Sequence, residues 1–130
     1  MDQITKEDLV YPELSYKIVG ILYDVCNAMG SGYQEKYYQR ALSIEFKKAQ
    51  LNFTEQVQIP LIYDGQKIGS YRLDFLIENK VALEIKKDNR FSRSNIEQVV
   101  AYLKACNLKL GILANFTPEG VKFKRILNIH

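Results

Sequence analysis

Ser70-Tyr71-Arg72-Leu73-Asp74-Phe75-Leu76-Ile77, the polar turn Glu78-Asn79-Lys80, and Val81-Ala82-Leu83-Glu84-Ile85-Lys86-Lys87 form the stretch that decides the fold. Two short runs rich in apolar and aromatic residues flank a turn, the pattern of an antiparallel hairpin. With the turn centred on Asn79, Ile77 faces Val81, Phe75 faces Leu83, Asp74 faces Glu84 and Arg72 faces Lys86. Directly opposed residues share a face, with Cβ atoms about 4.5–5.5 Å apart. One face is then Leu73, Phe75, Ile77, Val81, Leu83 and Ile85, entirely apolar. The other is Arg72, Asp74, Leu76, Ala82, Glu84 and Lys86. A slip of one residue would set Asp74 against Leu83 and mix the faces, so the pattern specifies the register.

Upstream, Pro12 and Glu13 open a segment in which Leu14, Ile18, Ile21, Leu22, Val25 and Met29 recur at helical spacing, closed by Gly30 and Gly32. Ser31 and Gln34 have capping-box spacing, which predicts a second helix from there to about Gln50 with Tyr38, Ala41, Leu42, Glu45, Phe46 and Ala49 along one side. Phe53, Val57, Ile59 and Leu61 then alternate with polar residues, apart from Glu55, and Asp64-Gly65 marks a hairpin into the next strand. Downstream, Ser94 and Glu97 form another capping-box pair before a helix carrying Ile96, Val99, Val100 and Leu103. Leu108–Asn115 reads as an interior strand. Thr117-Pro118-Glu119-Gly120 turns the chain into a last strand, where Val121 and Phe123 alternate with Lys122 and Lys124. The order α-α-β-β-β-α-β-β predicts an α/β fold, a mixed central sheet flanked by helices.

At 130 residues, with 47% hydrophobic and 25% charged, the chain predicts one domain over 1–130 and excludes a disordered or collagen-like protein. The longest apolar run, Ile18–Tyr23, falls far short of the roughly 18 residues of a membrane span. Met1–Asp8 is acidic and polar, unlike a signal peptide. Cys26 and Cys106 lie in apolar-periodic stretches without metal-type spacing and read as buried free thiols of a reducing compartment, so a cytoplasmic location is expected. Residues 1–79 hold 8 Lys/Arg against 11 Asp/Glu, whereas residues 80–130 hold 10 against 4. That basic half suits a polyanionic partner but is common in proteins without one.

Asp74 and Glu84 side by side, with Lys86 and Arg72 next to them, admit two readings. They are cross-strand ion pairs on a solvated face, or carboxylates that share a hard divalent ion such as Mg²⁺, which takes oxygen ligands and keeps several waters. Glu35 lies three residues before Tyr38 and seven before Leu42, near the inward stripe of its helix. It is either a carboxylate favoured by the helix N-terminus or a third acid reaching the pocket of Asp74 and Glu84. No Ser/His/Asp or Cys/His set is evident, and the only histidine, His130, is terminal.

Gly32-Tyr33-Gln34-Glu35-Lys36-Tyr37-Tyr38 resembles the signature of the GxxExxY proteins, small members of the PD-(D/E)XK nuclease superfamily. The resemblance continues through Gly69–Asp74, Glu84-Ile85-Lys86, Gln98–Leu103, Leu110–Phe116 and Lys124-Arg125-Ile126, and so covers nearly the whole chain from Leu14 onward. It implies a restriction-endonuclease-like αβββαβ core. It implies Mg²⁺ or Mn²⁺ held by Asp74 and Glu84, Lys86 positioning the attacking water, Glu35 supporting the metal site, and Gln98 facing it. Two departures stand out: Leu73 replaces the Pro of the superfamily motif, and Asn95 stands where a His often precedes the Gln by three residues. On a helical wheel, however, Gln98 and Tyr102 fall away from the apolar side of their helix, so periodicity alone makes Gln98 solvent-exposed.

The expected function is metal-dependent hydrolysis of a phosphodiester, with DNA favoured over RNA. The alternative is an accessory nucleic-acid-binding module of a larger complex, and a third reading is a purely structural α/β domain. Arg72, Lys87, Arg90, Arg93 and Tyr102 are candidate nucleic-acid contacts, Tyr102 and Tyr71 by stacking on bases. Lys122, Lys124 and Arg125 are further basic candidates, and a homodimer or a larger assembly is left open.

Overall fold

The computed structural model describes residues 10–87 and 90–129. The elements follow in the expected order: α1 (Pro12–Met29), α2 (Glu35–Lys48), β1 (Phe53–Tyr63), β2 (Gln66–Ile77), β3 (Val81–Lys86), α3 (Arg93–Cys106), β4 (Leu110–Thr117) and β5 (Gly120–Leu127). The strands lie side by side in sequence order. Only β3 and β4 are parallel, joined by the α3 crossover, and the other neighbours are antiparallel. Among the described residues no helix is long and apolar enough to cross a membrane. Met1–Asp8, Asp88, Asn89 and His130 lie outside the described residues.

Helices α1 and α2 cover one face of the sheet. Ile18 and Leu22, with Tyr38, Leu42 and Phe46, pack on Phe75, Leu83, Ile85 and Ile112. Helix α3 covers the other face, where Val99, Tyr102 and Leu103 meet Leu73, Ala82 and Leu113. Covered on both sides, β4 is buried along its whole length, as a strand of a parallel pair inside a sheet should be. Gly111 is the close approach that lets α3 settle. A Cβ there would stand 2.7 Å from Val99 Cγ1 and 3.3 Å from Leu103 Cδ2. Both contacts are fully buried core side chains, so Gly111→Ala should cost about 1–3 kcal/mol of stability. Urea unfolding checks this, and an unchanged midpoint would contradict the packing described.

Three expectations need correction. Leu73 does not share a face with Phe75: it packs under α3 while Phe75 packs under α1 and α2. The cause lies across the ladder. Glu55 pairs with Phe75 and Val57 with Leu73, so Gln56 sits opposite Asp74, and Gln56 has a left-handed backbone at φ 53°. The alternation inverts there. Phe53 packs with the α1–α2 side and Val57 with the α3 side, and Gln56 Nε2 donates to Gln39 Oε1 on α2 at 2.9 Å.

Neither predicted capping box forms. Helix α2 starts at Glu35, after an N-cap Gln34 that makes no side-chain cap bond. The loop is held instead by the Tyr38 hydroxyl, which donates to Gly30 O at 2.7 Å. Helix α3 is capped two residues earlier than expected, by Ser92, whose Oγ accepts from Asn95 N–H at 3.0 Å.

Candidate active site

Strands β2 and β3 pair as expected at Ile77–Val81, Leu76–Ala82 and Phe75–Leu83. The ladder then stops, and Asp74–Glu84 and Arg72–Lys86 do not continue it as backbone pairs. Two carboxylates take over. The Asp74 N–H donates to Glu84 Oε1 at 3.1 Å, and the Ile85 N–H donates to Asp74 Oδ2 at 2.8 Å. Each acid thus replaces a ladder bond of the other strand, which holds the pair rigidly where the strands part. Nor is the face solvated: Asp74 is 6% and Glu84 4% exposed.

Burial pushes the Glu84 carboxyl up to about 8, reinforced by the Asp74 charge and by hydrogen bonding to the Asp74 side chain; the bond from the Asp74 N–H and then Lys86 oppose this. The Lys86 Nζ stands 4.0 Å from Glu84 Oε2, at the limit of an ion pair and beyond hydrogen-bond length. A pair of buried acids short of positive charge is a destabilising feature above neutral pH. Between its ordinary value of 4.5 and about 8, folded Glu84 keeps a proton that the unfolded chain releases. Stability is therefore fully present below the lower value and lost as pH rises through the upper one. The metal-free protein should melt ~5 °C or more lower at pH 8 than at pH 5. Glu84→Gln should flatten that slope; equal slopes in the two proteins would contradict the assignment.

The two acids floor an open cleft of about 450 Å³. Glu35 and Gln39, one turn apart on α2, form one wall, and Gln98 of α3 and Lys86 another. Arg72, Ser70 and Gln58 reach it from the β1–β2 arm, turned there by the inversion at Gln56. The cleft thus brings together Glu35, Tyr71, Arg72, Asp74, Glu84, Lys86 and Gln98, all seven singled out in the sequence. Gln98 is half-buried at the edge of the α3 contact, not solvent-exposed as its periodicity alone suggested. Glu35 is both a first-turn helix carboxylate and a cleft residue.

Among the described residues, no three Asp, Glu, His or Cys side chains cluster tightly enough to enclose an ion. Glu35 stands across the cleft, so the close donor set is the Asp74–Glu84 pair. That set fits a hard dication such as Mg²⁺, which commonly takes one or two carboxylates and completes its shell with water and phosphate oxygens. Each acid has one oxygen engaged by a backbone N–H and a second that is not.

Other candidates fall away from the cleft. Tyr102 is fully buried and cannot stack on a base; its hydroxyl donates to Arg72 O at 2.6 Å, tying α3 to β2 behind the site. Burial, then the charges of Glu84 and Asp74, hold its phenol well above the ordinary range, so it stays a neutral donor. Its ring meets Tyr71 edge-on at 5.3 Å. Arg93 pairs with Glu97 at 2.9 Å and Lys122 with Glu119 at 3.1 Å, while Arg125 Nη2 donates to Val10 O at 2.6 Å. Lys87, Arg90 and Lys124 are exposed and outside the cleft lining. Cys26 is a buried free thiol; Cys106 is free but half-buried, with its pKa raised by burial.

Gln39, Gln58 and Ser70 escaped the sequence reading. Gln39 had a signal, since it lies four residues from Glu35 and so on the same helix face. Gln58 and Ser70 had none, because the inversion that aims them is invisible to a period-two pattern.

Comparison with known proteins adds three findings. The family model of the PD-(D/E)XK nuclease superfamily matches residues 12–126. The fold is similar to that in the crystal structure of SSO0001, with a TM-score of 0.58 and 19% identity over 92% of this chain; this chain spans 60% of that one. No curated protein is similar enough to count as a relative.

Proposed function

The chain belongs to the PD-(D/E)XK nuclease superfamily over residues 12–126, and from that premise we propose that it is a metal-dependent nuclease acting on DNA. The observation that carries the reading is the buried Asp74–Glu84 pair, locked across two parting strands with Lys86 beside it. Nothing in ordinary folding favours two acids 4–6% exposed with so little countercharge.

In this reading Asp74 and Glu84 hold one Mg²⁺ or Mn²⁺ through the oxygens that the backbone leaves open. When bound, the ion would neutralise charge on the scissile phosphate and make hydroxide available near neutral pH. Lys86, 23% exposed and directed along the same side of β3, orients the attacking water and stabilises charge on the phosphate. Glu35 faces the pair from α2 and takes hydrogen bonds from water in the cleft, extending the acid set without touching it. Gln98, with a donor and an acceptor on one amide, holds water or a phosphate oxygen from the α3 side. Arg72 at the rim and the exposed Lys87 and Arg90 supply phosphate contacts. The resemblance to the GxxExxY signature around Glu35 supports this reading, since that acid lies in the first turn of α2 and lines the cleft.

The test is a substrate panel: end-labelled single- and double-stranded DNA and RNA, each with Mg²⁺, Mn²⁺ or EDTA. The reading expects cutting of DNA that EDTA stops, and the product ladder separates endonuclease from exonuclease. Binding of the same oligonucleotides without any cutting would instead support an accessory module that keeps the fold.

A further inference from the structure

Asn115 is a polar residue deep in a strand that is otherwise almost wholly apolar. It is 1% exposed, yet its Nδ2 and Oδ1 both lie buried without a hydrogen-bond partner. Buried side-chain amides nearly always find partners, and one that does not needs a reason. Its position supplies one. In the parallel β3–β4 register Asn115 pairs with Lys86, as Leu113 pairs with Glu84. Neighbouring strands are about 4.8 Å apart, and paired residues project from the same face. Ile112, Ala114 and Phe116 pack on the α1–α2 side and Leu113 on the α3 side, so Asn115 shares the α3 side with Glu84 and Lys86. Meanwhile the Lys86 ammonium has three hydrogens to place, and its ion-pair partner is 4.0 Å away.

We propose that Asn115 is a positioning residue for Lys86: its Oδ1, without a partner in the metal-free protein, accepts a hydrogen bond from the ammonium when substrate is bound and holds it at the reacting phosphate. This rests on the nuclease reading above. The amide is thus kept for function at the expense of stability, and that makes two readouts move in opposite directions.

Asn115→Leu replaces the amide with an apolar group of similar size. Its melting temperature without metal should equal or exceed that of wild type, because an unsatisfied polar group leaves the interior. Its kcat for cleavage should fall about 10-fold or more with KM little changed, as for lost support around a metal site. Asn115→Asp, which keeps an acceptor oxygen at the same place, should stay within about threefold of wild type in kcat. A clearly lower melting temperature for Asn115→Leu would mean that the amide already has a partner in the metal-free protein, before any substrate binds, and would overturn the proposal. So would a kcat for Asn115→Leu within about threefold of wild type. A wild type that cuts nothing removes the nuclease reading and this inference with it, whereas an active wild type with an equally active Asn115→Leu removes this inference alone.

Discussion

Glu84→Gln should lower metal-dependent cleavage by about 1000-fold or more, since metal-ion catalysis contributes several kcal/mol and each tenfold is about 1.4 kcal/mol. The same substitution should make the metal-free protein melt higher at pH 8. The two effects have one cause. Glu84 is 4% exposed, adjoins Asp74, and has its carboxyl pushed up to about 8, so its ionised form is costly without a cation. Gln keeps the shape, keeps the oxygen that accepts from the Asp74 N–H, and offers a donor where a charge stood. It removes the charge that would attract the ion. Differential scanning calorimetry and a cleavage time course on the same preparation read both. A variant that loses activity and stability together would point to misfolding rather than to a charge selected for metal.

Lys86→Met should reduce single-turnover cleavage by about 100-fold or more. Substrate affinity and melting temperature should change little. Met matches the length of the lysine stem, the side chain is 23% exposed, and its ion pair with Glu84 at 4.0 Å is too long to contribute much to folding. Losing the ammonium therefore acts on the chemical step. Single-turnover rates at saturating Mg²⁺, with binding followed separately in Ca²⁺, make the distinction. A rate within about threefold of wild type would remove Lys86 from the proposed mechanism.

The order of all eight elements was legible because each carries its own period and its own stop: Gly30 after α1, Asp64-Gly65 between β1 and β2, and Glu78-Asn79-Lys80 between β2 and β3. The three ladder pairs nearest that last turn were legible for the same reason. The inversion at Gln56 was not. A left-handed glutamine leaves no mark in the pattern, and it moved Leu73 to the α3 side while carrying Gln58 and Ser70 into the cleft. The capping boxes failed because their residue types are common and a neighbour can satisfy the loop better, as the Tyr38 hydroxyl does at Gly30.

Within the site, Asp74, Glu84 and Lys86 could be brought to one place from strand geometry alone, although the ladder itself stops at Phe75–Leu83. Gln98 could not, because the buried stripe of α3 runs through Val99, Tyr102 and Leu103 and leaves Gln98 at its border. Only the resemblance placed it at the cleft. Tyr102 shows the opposite failure: its hydroxyl found Arg72 O, and so an aromatic that looked available became core.

The most direct test of the account is to purify wild type and Glu84→Ala in parallel and incubate both with labelled DNA in Mg²⁺, with EDTA controls. The account predicts cutting by wild type that EDTA abolishes and that Glu84→Ala lacks. Equal, metal-dependent cutting by both would contradict it, because the phosphodiester would then be broken without the acid on which the site is built.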